Sequence, residues 1–74
     1  MQINVKLFAY FRDGRFKKDL REYDEGTTPG DIISALGIDM EEVGVIMVNS
    51  RHADADRPLN GGDNLAIFPV IGGG

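Results

Sequence analysis

Few residues of this 74-residue chain are of types that do chemistry, and those few are scattered. There is no cysteine, which removes disulfides, thiolate metal sites, thiol nucleophiles and redox switching together. His52 is the lone histidine and stands beside a turn, where a solvated surface residue is the simplest reading. Asp54 and Asp56 would share a face of a strand, but no other oxygen ligands accompany them at the spacing of a calcium loop, so they are assigned to the surface. Gly61-Gly62 lacks the helix and lysine that follow a phosphate nest and reads as a turn. No Ser/His/Asp or Cys/His set and no paired carboxylates in a credible pocket are found. What remains is the chain end, "IFPVIGGG", apolar through Ile71 and finished by Gly72, Gly73, Gly74 and a carboxylate. Glycine adds no packing area and loses the most entropy on ordering, so this run serves no core; it is either slack or the working part.

The elements that must position this end can be read from periodicity. "QINVKLFAY" alternates, with Ile3, Val5, Leu7 and Ala9 on one face and Gln2, Asn4, Lys6, Phe8 and Tyr10 on the other, a half-buried strand. Asp13-Gly14 suits a tight turn, so "FKKDLREY" reads as the second strand of a hairpin, near a sheet edge and guarded by charge. Thr28 as N-cap, Pro29 as first helical residue and Asp31 three after the cap predict a helix start, and Gly37 a left-handed stop. Ile32, Ile33 and Leu36 form its apolar stripe; at two to three turns it must pack on the sheet to persist.

"VGVIMVNS" is dense in β-branched residues and reads as a buried strand, "RHADADRPL" as a turn leading into a short polar strand, and "NGGD" as a further turn. In the last strand, "NLAIFPVI", Leu65 and Ile67 point one way while Ala66, Phe68 and Val70 point the other, and Pro69, without an amide donor, should end pairing on one side. A single helix then covers one sheet face. Phe8 and Phe68 lie near each other on the uncovered face, as a contact surface would have them.

Size and composition bound the rest. A chain of this length holds one core, and its 42% hydrophobic and 27% charged residues are those of a globular domain rather than a disordered one. The apolar runs are far shorter than a membrane span and no export signal precedes them, so no membrane partner and a cytoplasmic location are expected. Lys6, Arg12, Arg15, Lys17, Lys18 and Arg21 crowd the first third, yet the formal charge is −4, which disfavours nucleic acid as a partner. One helix on a sheet leaves no room for a deep cleft, so the chain is expected to be a substrate or subunit of enzymes rather than an enzyme.

Taken together, "VKLFAYFRDG", "VNSRHADADRPLNGGD" and "LAIFPVIGGG" resemble the MoaD/ThiS family of ubiquitin-like sulfur-carrier proteins, over essentially the whole chain. The resemblance implies an α+β fold, the β-grasp (ubiquitin-like), with a mixed sheet of four to five strands packed on one main helix. It divides the chain into a domain over 1–71 and a flexible glycine tail over 72–74. It also implies that Gly74 carries the chemistry: an activating enzyme of the MoeB/ThiF type, using ATP and Mg, adenylates its carboxylate, which then becomes a thiocarboxylate. No cofactor is bound by the chain itself. Elementary chemistry agrees, since a carboxylate is a poor electrophile and the mixed anhydride with AMP supplies a leaving group. Glycines admit the main chain to a narrow cleft that any Cβ would crowd.

By position, Phe8 and Phe68 match hydrophobic contact sites through which family members dock on partner enzymes, and Val70 and His52 complete the expected partner-binding set. Arg51-His52 stand where the family has an apolar residue, and Gly72 takes the place of a variable residue before the family's two glycines. The aromatic start and end are more similar to the molybdopterin synthase small subunit than to the thiazole carrier, although the usual double proline is here a single Pro69. The expected partner is therefore the molybdopterin synthase large subunit, with sulfur going to a molybdenum or tungsten cofactor. The alternatives are a carrier for thiamine thiazole, acting with thiazole synthase, and a ubiquitin-like modifier joined to lysines through Gly74.

Overall fold

The alternation of "QINVKL" is realised as a strand, β1 (Gln2–Leu7), in which Ile3, Val5 and Leu7 are wholly buried. In the computed structural model, which describes residues 1–71, there follow β2 (Lys18–Glu22), α1 (Pro29–Ala35), β3 (Val43–Val48), β4 (Arg51–His52) and β5 (Asn64–Pro69). Single turns of 3-10 helix occupy Ala9–Arg12 and Met40–Glu42. The strands form one sheet in the order β2-β1-β5-β3-β4. At its centre β1 and β5 run parallel, with Val5 beside Leu65 and Leu7 beside Ile67; all other pairs are antiparallel. With α1 laid across one face, this is the α+β, β-grasp arrangement.

The helix begins as its sequence requires. Thr28 Oγ1 accepts from Asp31 N at 3.1 Å and Asp31 Oδ2 from Thr28 N at 3.0 Å, so the capping box is complete in both directions. Gly37, at φ +75°, ends it. Ile32 and Ile33 sink into the core formed by the inner residues of β1, β3 and β5. The helix C-terminus gains a partner that propensity alone does not reveal. Arg15 donates to Leu36 O (2.9 Å), Gly37 O (3.3 Å) and Phe11 O (3.1 Å), placing a cation on carbonyls that the helix leaves unpaired.

Three expectations are corrected. Residues 8–17 are not a tight hairpin turn, although β1 and β2 do pair antiparallel and β2 does lie at the sheet edge. The chain leaves β1 after Leu7, with Ala9 at φ +52° and exposed, and Phe11 enters the core in the place expected of Ala9. Burying a phenylalanine outweighs a short loop. Tyr10 consequently leaves the strand face and meets Phe11 edge-on, with ring centroids 5.1 Å apart. Secondly, β3 is not buried on both sides: Ile46 and Val48 are buried, whereas Val43, Val45 and Met47 are half-buried, because the helix covers only one face. Thirdly, the short polar strand comes at the start of its segment, directly after a turn in which Asn49 and Ser50 both take positive φ.

Candidate functional site

Register builds the open face. Leu7 is paired with Ile67, so the next residue on each strand, Phe8 and Phe68, emerges on the side away from the helix. Phe8 N donates to Ile67 O at 3.2 Å, and the two rings stack with centroids 4.1 Å apart and planes 16° apart. Such a pair contributes about 0.5–1.5 kcal/mol beyond its burial. The rings are half-buried rather than exposed. The reason is a third member: Arg12 places its guanidinium carbon 5.3 Å from the Phe8 centroid and anchors Nε on Leu7 O at 2.7 Å.

On the other side of β5, Met47 and Val45 stand beside Ala66 and Phe68 and extend the apolar surface. His52 is paired with Met47 across β3 and β4, and it lines a shallow depression together with Met47, Phe68, Val70 and Ile71. Lys6, Lys18, Asn49, Ser50 and Asn64 give the face a polar border near Phe8 and Phe68. Thus Phe8, Phe68, Val70 and His52 are gathered on one surface. Gly72, Gly73 and Gly74 lie outside the described residues.

The strand that leads to them is fastened at its end. Pairing of β5 with β1 stops at Ile67, two residues before Pro69, while pairing with β3 continues to Val43 opposite Pro69. Val70 N then donates to Glu42 O at 2.8 Å. The Glu42 carboxylate accepts from the Tyr10 hydroxyl at 3.1 Å; desolvation, and then this bond, raise the Tyr10 pKa above its ordinary 10.0. Beyond the fastening, Val70 is 53% and Ile71 80% exposed.

A second polar device holds the rim. Asp63, 8% exposed, accepts from Asn49 Nδ2 (2.9 Å) and Asn60 N (2.8 Å), and Asn49 Oδ1 accepts from Asn64 N (2.9 Å). These bonds tie the "NGGD" turn, where Gly62 has φ +89°, to the strained Asn49-Ser50 turn. Asp54 and Asp56 are exposed, and among the described residues no His/Cys/Asp/Glu group could hold a metal. No described helix is long and apolar enough to cross a membrane.

Sequence reasoning missed Arg12, Glu42, Gly44 and Asp63. Only Gly44 carried a local signal, because a lone glycine inside a β-branched run marks a bulge or a close backbone approach.

A profile of the ThiS family matches residues 5–74. No curated protein sequence matches. Among solved structures, a Pyrococcus furiosus protein assigned as molybdopterin converting factor subunit 1 is 27% identical, with a TM-score of 0.78 over 96% of this chain and 99% of that one. Small archaeal modifier protein 1 of Haloferax volcanii is 23% identical, with a TM-score of 0.75 over 95% and 98%. Subunits 1 and 2 of the molybdopterin-converting factor of Helicobacter pylori have been solved as a complex. The similarity there is 17% identity and a TM-score of 0.67, covering 100% of each chain. The last two likenesses concern fold alone.

Proposed function

We propose, since this chain belongs to the ThiS family of ubiquitin-like sulfur carriers, that its working group is the carboxylate of Gly74 and that its folded part is the handle by which enzymes hold it. An activating enzyme of the MoeB/ThiF type seats the Phe8–Phe68 face, with Val70 and His52 at its margin. The carboxylate attacks the α-phosphate of ATP, held with Mg by that enzyme, and releases pyrophosphate. Hydrosulfide then attacks the acyl carbon, displaces AMP and loses its proton to leave the thiocarboxylate. The chain supplies no acid or base to these steps; it acts as substrate and then as donor subunit.

The observation that carries this reading is the family match running through Gly74. The geometry is consistent with it. Three residues beyond Ile71 span at most about 10 Å, so a reaction site must open within that distance of where Ile71 leaves the sheet. Division of the chain into a domain over 1–71 and a tail over 72–74 follows from the same reading.

For the recipient we favour the pterin route, with the molybdopterin synthase large subunit as partner. The 27% identity to the Pyrococcus furiosus protein supports it. Incubation with the host's activating enzyme, ATP, Mg and a sulfur source should exchange one terminal oxygen for sulfur, read by intact mass. No exchange with any such host enzyme would sink the proposal. The second reading is a protein modifier joined to lysines through the same carboxylate; the Haloferax volcanii modifier shares its fold. It expects host lysines that carry this chain's C-terminal peptide, through Gly74, in isopeptide linkage after protease digestion, and their absence decides for the carrier.

A further inference from the structure

Gly44 is the extra residue of a bulge: Val43 lies opposite Pro69 and Val45 opposite Phe68, and the register slips between them. There the main chains of β3 and β5 come unusually close. A Cβ at position 44 would stand 2.9 Å from Pro69 O and 3.0 Å from both Val70 Cα and Val70 N. Those neighbours are backbone atoms, so no side-chain rotation could relieve the contact. Gly44 does not take a positive φ, so glycine is needed here for space and not for conformation.

The approach falls at the root of the tail. One residue before the bulge pair, Glu42 O receives Val70 N, and the Glu42 carboxylate is steadied by Tyr10, which rests on buried Phe11. One residue past Val70 the chain is almost free of the sheet.

We propose that Gly44 is a positioning residue for the reacting end: by letting β5 lie against β3 it fixes the height and direction at which Val70 and Ile71 leave the sheet. The carboxylate therefore arrives at a set place relative to a partner seated on Phe8 and Phe68. This inference rests on the reading that Gly74 is the reacting end. Three residues span at most about 10 Å, so a shift at the root of the tail shifts the space its end can reach, and misplacement by about 1 Å can cost two orders of magnitude in rate.

The test compares the unaltered chain with Gly44→Ala. Pyrophosphate release is followed with the activating enzyme, ATP and Mg at saturating carrier, and affinity for that enzyme is measured separately. The expected result is a folded variant by circular dichroism, affinity within threefold, and turnover at least tenfold slower. A folded variant turning over within twofold of the unaltered chain overturns the inference and leaves the carboxylate reading standing.

If Gly44→Ala does not fold, Tyr10→Phe decides, because it removes the bond to Glu42 without touching the core. Faster amide exchange at Val70 with at least twofold lower turnover at unchanged affinity supports the role, and unchanged turnover overturns it. No pyrophosphate release from the unaltered chain strikes down the carboxylate reading, and this one with it.

Discussion

The two faces of the sheet are built from the same strands, one residue out of step, and they differ in almost everything else. Toward the helix, Ile3, Val5, Leu7, Leu65 and Ile67 are at most 1% exposed and lie in a continuous core. Toward solvent, Phe8, Met47, Ala66 and Phe68 are half-buried, covered only by one another and by Arg12. A half-open apolar face costs solubility and adds little stability, which is why the proposed reading uses the Phe8–Phe68 stack for contact with a partner. The covered core and the open apolar face are thus sorted by the period of two, and Ile67 and Phe68 sit on opposite sides of that division.

The largest effect should come from the chain end. Removing Gly74, or appending an alanine after it, should lower thiocarboxylate formation more than a hundredfold in the mass assay while the thermal midpoint stays unchanged. A shifted midpoint would join the tail to the core side of the comparison. Next, Ile67→Ala should destabilise the domain by about 2–5 kcal/mol in urea unfolding. Its neighbour Phe68→Ala should cost less stability yet weaken binding to the activating enzyme at least tenfold. Equal stability losses with unaltered binding would erase the distinction between the faces.

At the rim, Asp63→Ala strands Asn49 Nδ2 and Asn60 N and should cost about 1–3 kcal/mol, with a smaller effect on binding than Phe68→Ala. Smallest is a pH effect far from the open face. The Met1 ammonium lies 3.0 Å from Glu22 and donates to Tyr23 O at 2.7 Å; chiefly through Glu22 its pKa is raised above 8.0. A group whose pKa is raised on folding contributes fully below its unfolded value and loses that contribution as pH climbs through the folded one. Tyr10 and Tyr23, raised above 10.0 mainly by desolvation, act with the same sign at higher pH. The thermal midpoint should therefore be level up to about pH 8 and decline above it. Glu22→Gln should flatten the decline between about pH 8 and 10, and an unchanged slope would remove the Met1 contribution.

Much of this division was legible in the sequence because it is local. Alternation assigned Ile3, Val5, Leu7, Leu65 and Ile67 to one side and Phe8 and Phe68 to the other, and Thr28-Pro29-Asp31 announced the helix. What escaped depends on distance along the chain. Asp13-Gly14 is compatible with a tight turn, and only the core's demand for the Phe11 ring explains the 3-10 turn and the left-handed Ala9. Arg12 was read as one of a basic cluster, since its place over Phe8 follows from the Ala9–Arg12 turn, which strand alternation does not foresee. Glu42 and Asp63 act through partners 32 and 14 residues away, a separation that no periodicity encodes.

The place of β5 in the sheet bears on how the protein comes into being at the ribosome. Among the described strands it is the last to be synthesised and the one that joins the β2-β1 pair to the β3-β4 pair. Until it emerges, the two pairs share no ladder with each other, and the Phe68 half of the aromatic stack does not exist. The single sheet therefore requires β5. A chain that stops before β5 has two separate strand pairs and no Phe8–Phe68 stack.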